Sequence, residues 1–248
     1  MLEKYYENLT GEFYMIKRIA FTLAEVLITL TVIGVVAVMA LPNLVKHYEK
    51  KTLETQTKHF YSMMSLAIEN YMAEHHADEL YDTPMYCESF EENCENDVKD
   101  FVMKHLKVAL VCGDSMDNDN NCYSVTAKVL DKESTTNASW GPQFILDHGY
   151  AIRIIPPEAW RPAILTVDVN GAKGPNRGGR DIWTLDIFYN GSINDSNLTP
   201  ECFSKNECGG YSSKEEAIEN RFEHCMEFGY DGSGCFGHFK ENNFKFDY

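Results

Sequence analysis

The sequence predicts an α+β chain: one long N-terminal helix, apolar in its first half, then a small antiparallel sheet and a disulfide-stapled C-terminal region. Three observations predict it. No residue from Val26 to Leu41 carries a charge, an apolar helical period continues as far as Tyr71, and four strand-like runs follow, accompanied by eight cysteines.

Residues 1–14 (MLEKYYENLTGEFY) are polar and acidic, with Glu3, Glu7 and Glu12 against Lys4. They suit neither a basic leader nor a helix core, and are read either as an extended leader or as the result of a wrongly assigned start. Met15 is the alternative start, and Lys17 and Arg18 behind it would stay on the cytoplasmic side of a membrane.

Phe21 to Leu44 reaches the ~20 residues needed to cross a ~30 Å hydrocarbon layer, with Glu25 as its only ionisable group. A carboxylate there costs roughly 2.5 to 3.5 kcal/mol and calls for a partner. A secretory signal would carry its small-residue cleavage site after the apolar core, whereas Ala20 lies before it. A cut between Ala20 and Phe21 would remove the leader, keep the anchor and leave a new ammonium four residues from Glu25. The plain alternative is a one-pass anchor in which Glu25 has no role.

Leu53, Phe60, Met64, Ala67, Ile68 and Tyr71 lie on one face of a 3.6-residue repeat. A helix from about Thr22 to His75 would be roughly 80 Å long. Its first half, apolar all round, must be buried in lipid or against other subunits. Pro42 lacks an amide donor and predicts a kink or a weak point.

Between Glu74 and Asp100 the chain reads as an acidic, irregular loop, with Val98 to Val108 forming a short helix or a lead into a strand. His75 and His76, near Asp78 and Glu79, match no recurrent ligand spacing. Solvated histidines beside a helix C-terminus explain them better, since the dipole favours cations there.

All eight cysteines (Cys87, Cys94, Cys112, Cys122, Cys202, Cys208, Cys225, Cys235) lie beyond the apolar run. An even number on the exported side predicts disulfides in an oxidising compartment, and no C-x2-C pair supports zinc or redox chemistry. Pairing of sequence neighbours is the simplest connectivity. The net charge of -16 argues against nucleic acid as a partner, because phosphate binding needs clustered Lys and Arg. Between Cys112 and Cys122, Asp114, Asp117 and Asp119 alternate with asparagines. Such oxygen density suits Ca2+, although the EF-hand spacing is missing and an Asx-rich turn explains the same letters.

Gln143 to Leu146 and Tyr150 to Ile155 read as a hairpin across Asp147-His148-Gly149. Ala163 to Val169 and Ile182 to Tyr189 read as a second pair, separated from the first by a proline-rich link that cannot donate to a ladder. Three or four such strands with one apolar face can pack on the second half of the long helix. The second pair is joined through Asp168-Val169-Asn170-Gly171 and on to Gly174-Pro175-Asn176 and Gly179-Arg180-Asp181. Its glycines permit tight turns, so a purely structural loop is one reading. In the tail, Ser213-Lys214-Glu215-Glu216 has the capping-box form and Gly229 suits a C-cap, which predicts a helix from Lys214 to about Phe228.

No H-E-x-x-H, G-x-S-x-G, phosphate-cradling or Rossmann glycine pattern is present. The reading is of a structural protein rather than an enzyme.

The stretch Lys17-Arg18-Ile19-Ala20-Phe21-Thr22-Leu23-Ala24-Glu25, with Pro42 twenty-one residues beyond Phe21, resembles the start of the type IV prepilins and of the type II secretion pseudopilins. In that family Gly usually stands where this chain has Ala20. The resemblance implies a pilin-like fold: a leader over 1–20, a long helix over 21–76 with a transmembrane half at 21–44, and an exported head over 77–248. It implies cleavage after Ala20 by a prepilin peptidase, N-methylation of Phe21, and neutralisation of a neighbouring subunit's Phe21 amine by Glu25. Around Pro42 the family's helix can open within the filament. The implied partners are other pilin or pseudopilin subunits, an inner-membrane assembly platform and membrane lipid. The implied location is a bacterial inner membrane, with the head outside the cytoplasm, and then a periplasmic or surface filament. Major pseudopilins bind calcium in a loop of comparable position, which makes Asp168, Asn170 and Asp181 candidate ligands. The reading from a different class is a monomeric, membrane-anchored binding protein with an exported head.

Overall fold

The computed structural model describes residues 4–7, 13–16, 21–87, 92–112, 122, 125–130, 135–159 and 161–248. Contacts divide the chain into two compact units, Met1–Glu49 and Lys50–Tyr248.

In the first unit β1 (Lys4–Glu7) pairs antiparallel with β2 (Phe13–Ile16). Helix α1 (Leu23–Glu74) begins here and runs unbroken through Pro42. It is long and apolar enough to cross a membrane. Large apolar side chains from Val26 to Val45 are exposed. The threonines in this stretch bond back onto the helix, Thr29 Oγ1 to the Val26 carbonyl at 2.9 Å and Thr31 Oγ1 to that of Leu27 at 2.7 Å. Their hydroxyls thus need no water, as a lipid environment requires.

In the second unit α1 turns one face inward: Leu53, Thr57, Phe60, Met64, Ala67, Ile68 and Tyr71 are buried. Six of these seven are the residues that the helical period picks out. The segment after α1 departs from the predicted loop. A 3-10 turn (Leu80–Asp82) leads to α2 (Glu92–His105), whose Val98, Phe101 and Val102 enter the core. Three acidic residues in its first six positions, Glu92, Glu95 and Asp97, mask this helix in the sequence. Near an N-terminus, however, such charges complement the dipole.

Next come β3 (Val108–Val111), β4 (Val125–Lys128), β5 (Thr135–Trp140), β6 (Phe144–Leu146), β7 (Ala151–Ile155), β8 (Ala163–Asp168), β9 (Ile182–Ile187) and β10 (Ile193–Asn194). β4 and β5 form a separate antiparallel ribbon. The others build one antiparallel sheet in the order β10-β9-β8-β7-β6-β3. This sheet has six strands where the sequence predicts three or four. The additional edge strands are two to four residues long, too short for an alternating pattern to register. Ile152, Ile154, Leu165, Val167, Trp183 and Leu185 alternate along β7, β8 and β9 and share one core with the buried face of α1. Phe60 meets Tyr150 edge-on at 5.4 Å.

The tail adds α3 (Pro200–Lys205), α4 (Lys214–Phe228) and α5 (Phe236–Glu241). Ser213 Oγ caps α4 by accepting the Glu216 amide at 3.1 Å. The Glu216 carboxylate instead takes the Ser212 amide and hydroxyl, one residue away from the usual reciprocal bond. Asp195, wholly buried after β10, accepts the amides of Gly234 at 2.9 Å and Gly237 at 2.5 Å and so fixes the start of α5. Burial pushes its pKa up to about 6 against the pull of those amides and of Arg221.

Candidate functional site

Two places hold the residues singled out in the sequence: the start of α1 and the loop between β8 and β9. Ala20 and Asp114, Asp117 and Asp119 lie outside the described residues.

At the helix start Phe21 is 78% exposed. One Glu25 carboxylate oxygen accepts both the Thr22 amide and the Thr22 hydroxyl at 2.8 Å, while Thr22 Oγ1 accepts the Glu25 amide at 3.2 Å. This is a capping box, with Thr22 as the cap and Glu25 three residues on. It gives Glu25 a local use. The signal Thr-x-x-Glu stands in the sequence as Thr22-Leu23-Ala24-Glu25.

The second place is built on the pairing of β8 with β9. Asp168 and Ile182 are register partners, so residues 169–181 form a closed excursion from two central strands. Val169 closes its neck by donating to the Asp181 carbonyl at 2.8 Å. The Asp168 and Asp181 side chains are both fully buried. Asp181 is well supplied with donors: Oδ1 accepts the Arg177 amide at 2.7 Å, and Oδ2 accepts the Asn176 amide at 2.8 Å and Asn170 Nδ2 at 3.1 Å. Asp168 is poorly supplied. Its Oδ1 takes the Asn170 amide at 3.1 Å, but its buried Oδ2 has no hydrogen-bond partner. The side-chain oxygens of Asn170 and Asn176 are likewise buried without partners.

Three orphaned oxygens around one carboxylate pair are electrostatically costly. Each buried acceptor left unpaired costs about 1–3 kcal/mol. Burial, and then the charge of Asp181, push the Asp168 pKa up to about 8. Burial also raises that of Asp181, while its amide donors pull it down. A hard divalent cation would supply what this arrangement lacks, because it takes carboxylate and amide oxygens together. Among the described residues no group of three or more His, Cys, Asp or Glu could hold a metal ion. The donors here are two carboxylates and two amides. Asn176 is absent from the ligand set drawn from the sequence, although it stands in the same loop as Gly174-Pro175-Asn176. What marks it is an orphaned oxygen, which only the fold reveals.

The loop is locked from two further sides. Arg177 Nη1 donates to the carbonyls of Val129 at 2.7 Å and Leu130 at 2.8 Å, and the Lys128 amide donates to the Asn176 carbonyl at 2.9 Å. On the other side a Cβ at Gly178 would strike the Gly229 carbonyl, the Gly232 nitrogen and the Tyr230 carbonyl carbon. Close backbone approach therefore demands glycine here. This approach is held by the Cys225–Cys235 disulfide, one of four bonds that all join sequence neighbours, with Cys87–Cys94, Cys112–Cys122 and Cys202–Cys208. No protein-family model matches this chain, and neither a curated protein nor a solved structure matches it.

Proposed function

We propose that this protein is a membrane-anchored filament subunit of the type IV pilin or type II pseudopilin kind, with a head organised around a calcium-holding loop. The observation that carries the reading is the division of one continuous helix. Residues 26–45 expose apolar side chains, while from Leu53 onward a single face is buried. A monomeric tether needs only a span and a flexible link. A helix that is apolar all round in its first half and buries a single face in its second suits a subunit that leaves the bilayer and repacks the same apolar surface against copies of itself.

In this reading the leader is cut after Ala20 and Phe21 becomes a methylated N-terminal ammonium. The capping box holds the Glu25 carboxylate at the start of the span, ready for the Phe21 ammonium of a neighbouring subunit. The pairing removes two lone charges from an apolar core, where each is costly by itself. Calcium would be held through Asp168, Asn170 and Asn176, with Asp181 ordering the loop behind them. When bound, it supplies the positive charge that the carboxylate pair lacks.

The test is Glu25→Gln, which keeps an acceptor for Thr22 and removes the charge. Filaments should be lost while the head keeps its disulfides and its melting temperature. Filaments at the wild-type level would overturn the pairing.

A further inference from the structure

We propose that residues 244–248 act as a strap that positions the cation loop and couples it to α1, with Arg180 and Tyr248 as positioning residues. The proposal rests on the cation reading given above, and it arises from contacts of the tail that the loop itself does not need for closure.

One end of the strap is fixed to the helix. The Phe246 amide donates to Glu54 Oε1 at 2.9 Å, and Lys58 Nζ lies 5.6 Å from the centre of the Phe244 ring. The other end is fixed to the two residues immediately before Asp181. Tyr248 Oη donates to the Gly179 carbonyl at 3.0 Å, and Arg180 Nη2 donates to the Tyr248 carbonyl at 2.6 Å. The Arg180 guanidinium also lies 4.9 Å from the Phe246 ring centre and 5.2 Å from that of Tyr248. Between the two ends, the buried Phe246 ring stacks on Trp183 at 6.2 Å, just past Asp181.

The segment that must stay still for Asp181 to hold the Asn170 side chain and the Asn176 backbone amide is thus held from outside by the strap, and the strap is held by the helix. If the cation binds the loop in the strapped arrangement more tightly than in the released one, the two events favour each other by the same factor. Cation loading then fixes the residues that attach the head to α1 at Glu54.

The test uses the full chain in detergent, with calcium and with a chelator, and has two readouts. The first is calcium affinity by titration calorimetry for wild type, Tyr248→Ala, Tyr248→Phe and Glu54→Ala. Loss of the ring contact and of the hydrogen bond to the Gly179 carbonyl in Tyr248→Ala should weaken binding about tenfold, and Tyr248→Phe and Glu54→Ala about threefold each. The second is hydrogen exchange in wild type, where calcium should slow exchange at the Phe246 amide. A strap with a merely structural role would lower the melting temperature equally with and without calcium and leave the affinity unchanged. Should Tyr248→Ala fail to fold, Tyr248→Phe and the half-exposed Glu54→Ala give the same readouts. Equal affinities in all four proteins, with no change in Phe246 exchange, would overturn the strap alone. No calcium binding by wild type would overturn the cation reading and the strap with it.

Discussion

Gly232 and Gly149 have nearly the same backbone conformation in very different surroundings, so the same substitution at both measures how tightly the tail is seated. Their φ angles are +77° and +84°. Alanine in this left-handed region costs roughly 1–2 kcal/mol. At Gly149, in the β6–β7 turn, an added Cβ meets nothing within 4 Å, so Gly149→Ala should lose about that amount. At Gly232 the Cβ would strike the Ile182 carbonyl and lie 2.9 Å from Trp183 Cα. These are backbone atoms of β9, in the middle of the sheet, and they cannot yield. The Ile182 carbonyl also accepts the Gly179 amide at 2.9 Å, so displacement there loosens the loop as well, at a further cost of about 1–3 kcal/mol. Gly232→Ala should therefore lose about 4 kcal/mol. At roughly 2–4 °C per kcal/mol for a unit of this size, that is about 8–16 °C, against about 2–8 °C for Gly149→Ala. Thermal melts followed by near-ultraviolet circular dichroism, under oxidising conditions, give both values. Equal losses would refute the argument, since the tail would then be free to move off β9.

Other predictions concern the buried carboxylates. Asp195 has a folded pKa of about 6, above the ordinary 3.8, so the folded state holds its proton more tightly than the unfolded chain does. The resulting stabilisation is complete below pH ~4 and lost as the pH rises through about 6, with a total on the order of 3 kcal/mol. Melting temperature should rise between pH 7 and pH 5, and Asp195→Asn should flatten that rise; an unchanged slope would show that another group carries it. For the loop, calcium at about a hundred times its Kd should add roughly 2.7 kcal/mol, or about 5–10 °C, relative to chelator. Asp168→Asn should abolish most of this response, and a wild-type melt indifferent to chelator would retire calcium from the loop.

The parts of the fold legible in the sequence are those written in a local period. The buried face of α1 lies where a 3.6-residue repeat places it, with Thr57 as the exception because a hydroxyl residue is not counted as apolar. The strands β7, β8 and β9 and the helix α4 fall close to their predicted limits, since turn and cap residues bound them on both sides. What escapes is short or long-range. β10 has two residues, and the first turns of α2 hide in an acidic stretch, whereas its end from Val98 is the short helix that the sequence offers. The bond from Phe246 to Glu54 joins residues 192 positions apart, a separation no pattern spans. The candidate loop is legible as Asp, Asn and Gly at turn spacing. Which oxygens are already satisfied by amides, as on Asp181, and which are left over, as on Asp168, Asn170 and Asn176, depends on how the chain closes.

The filament reading turns on what becomes of the first residues of the chain. Intact-mass analysis and N-terminal sequencing of the protein extracted from its native membrane test it most directly. A mature chain beginning at N-methyl-Phe21 is the predicted result: the leader is removed, and the new ammonium lies four residues from Glu25. A chain still beginning at Met1 or Met15 would contradict it, leaving an uncleaved anchor whose Glu25 serves only to cap α1.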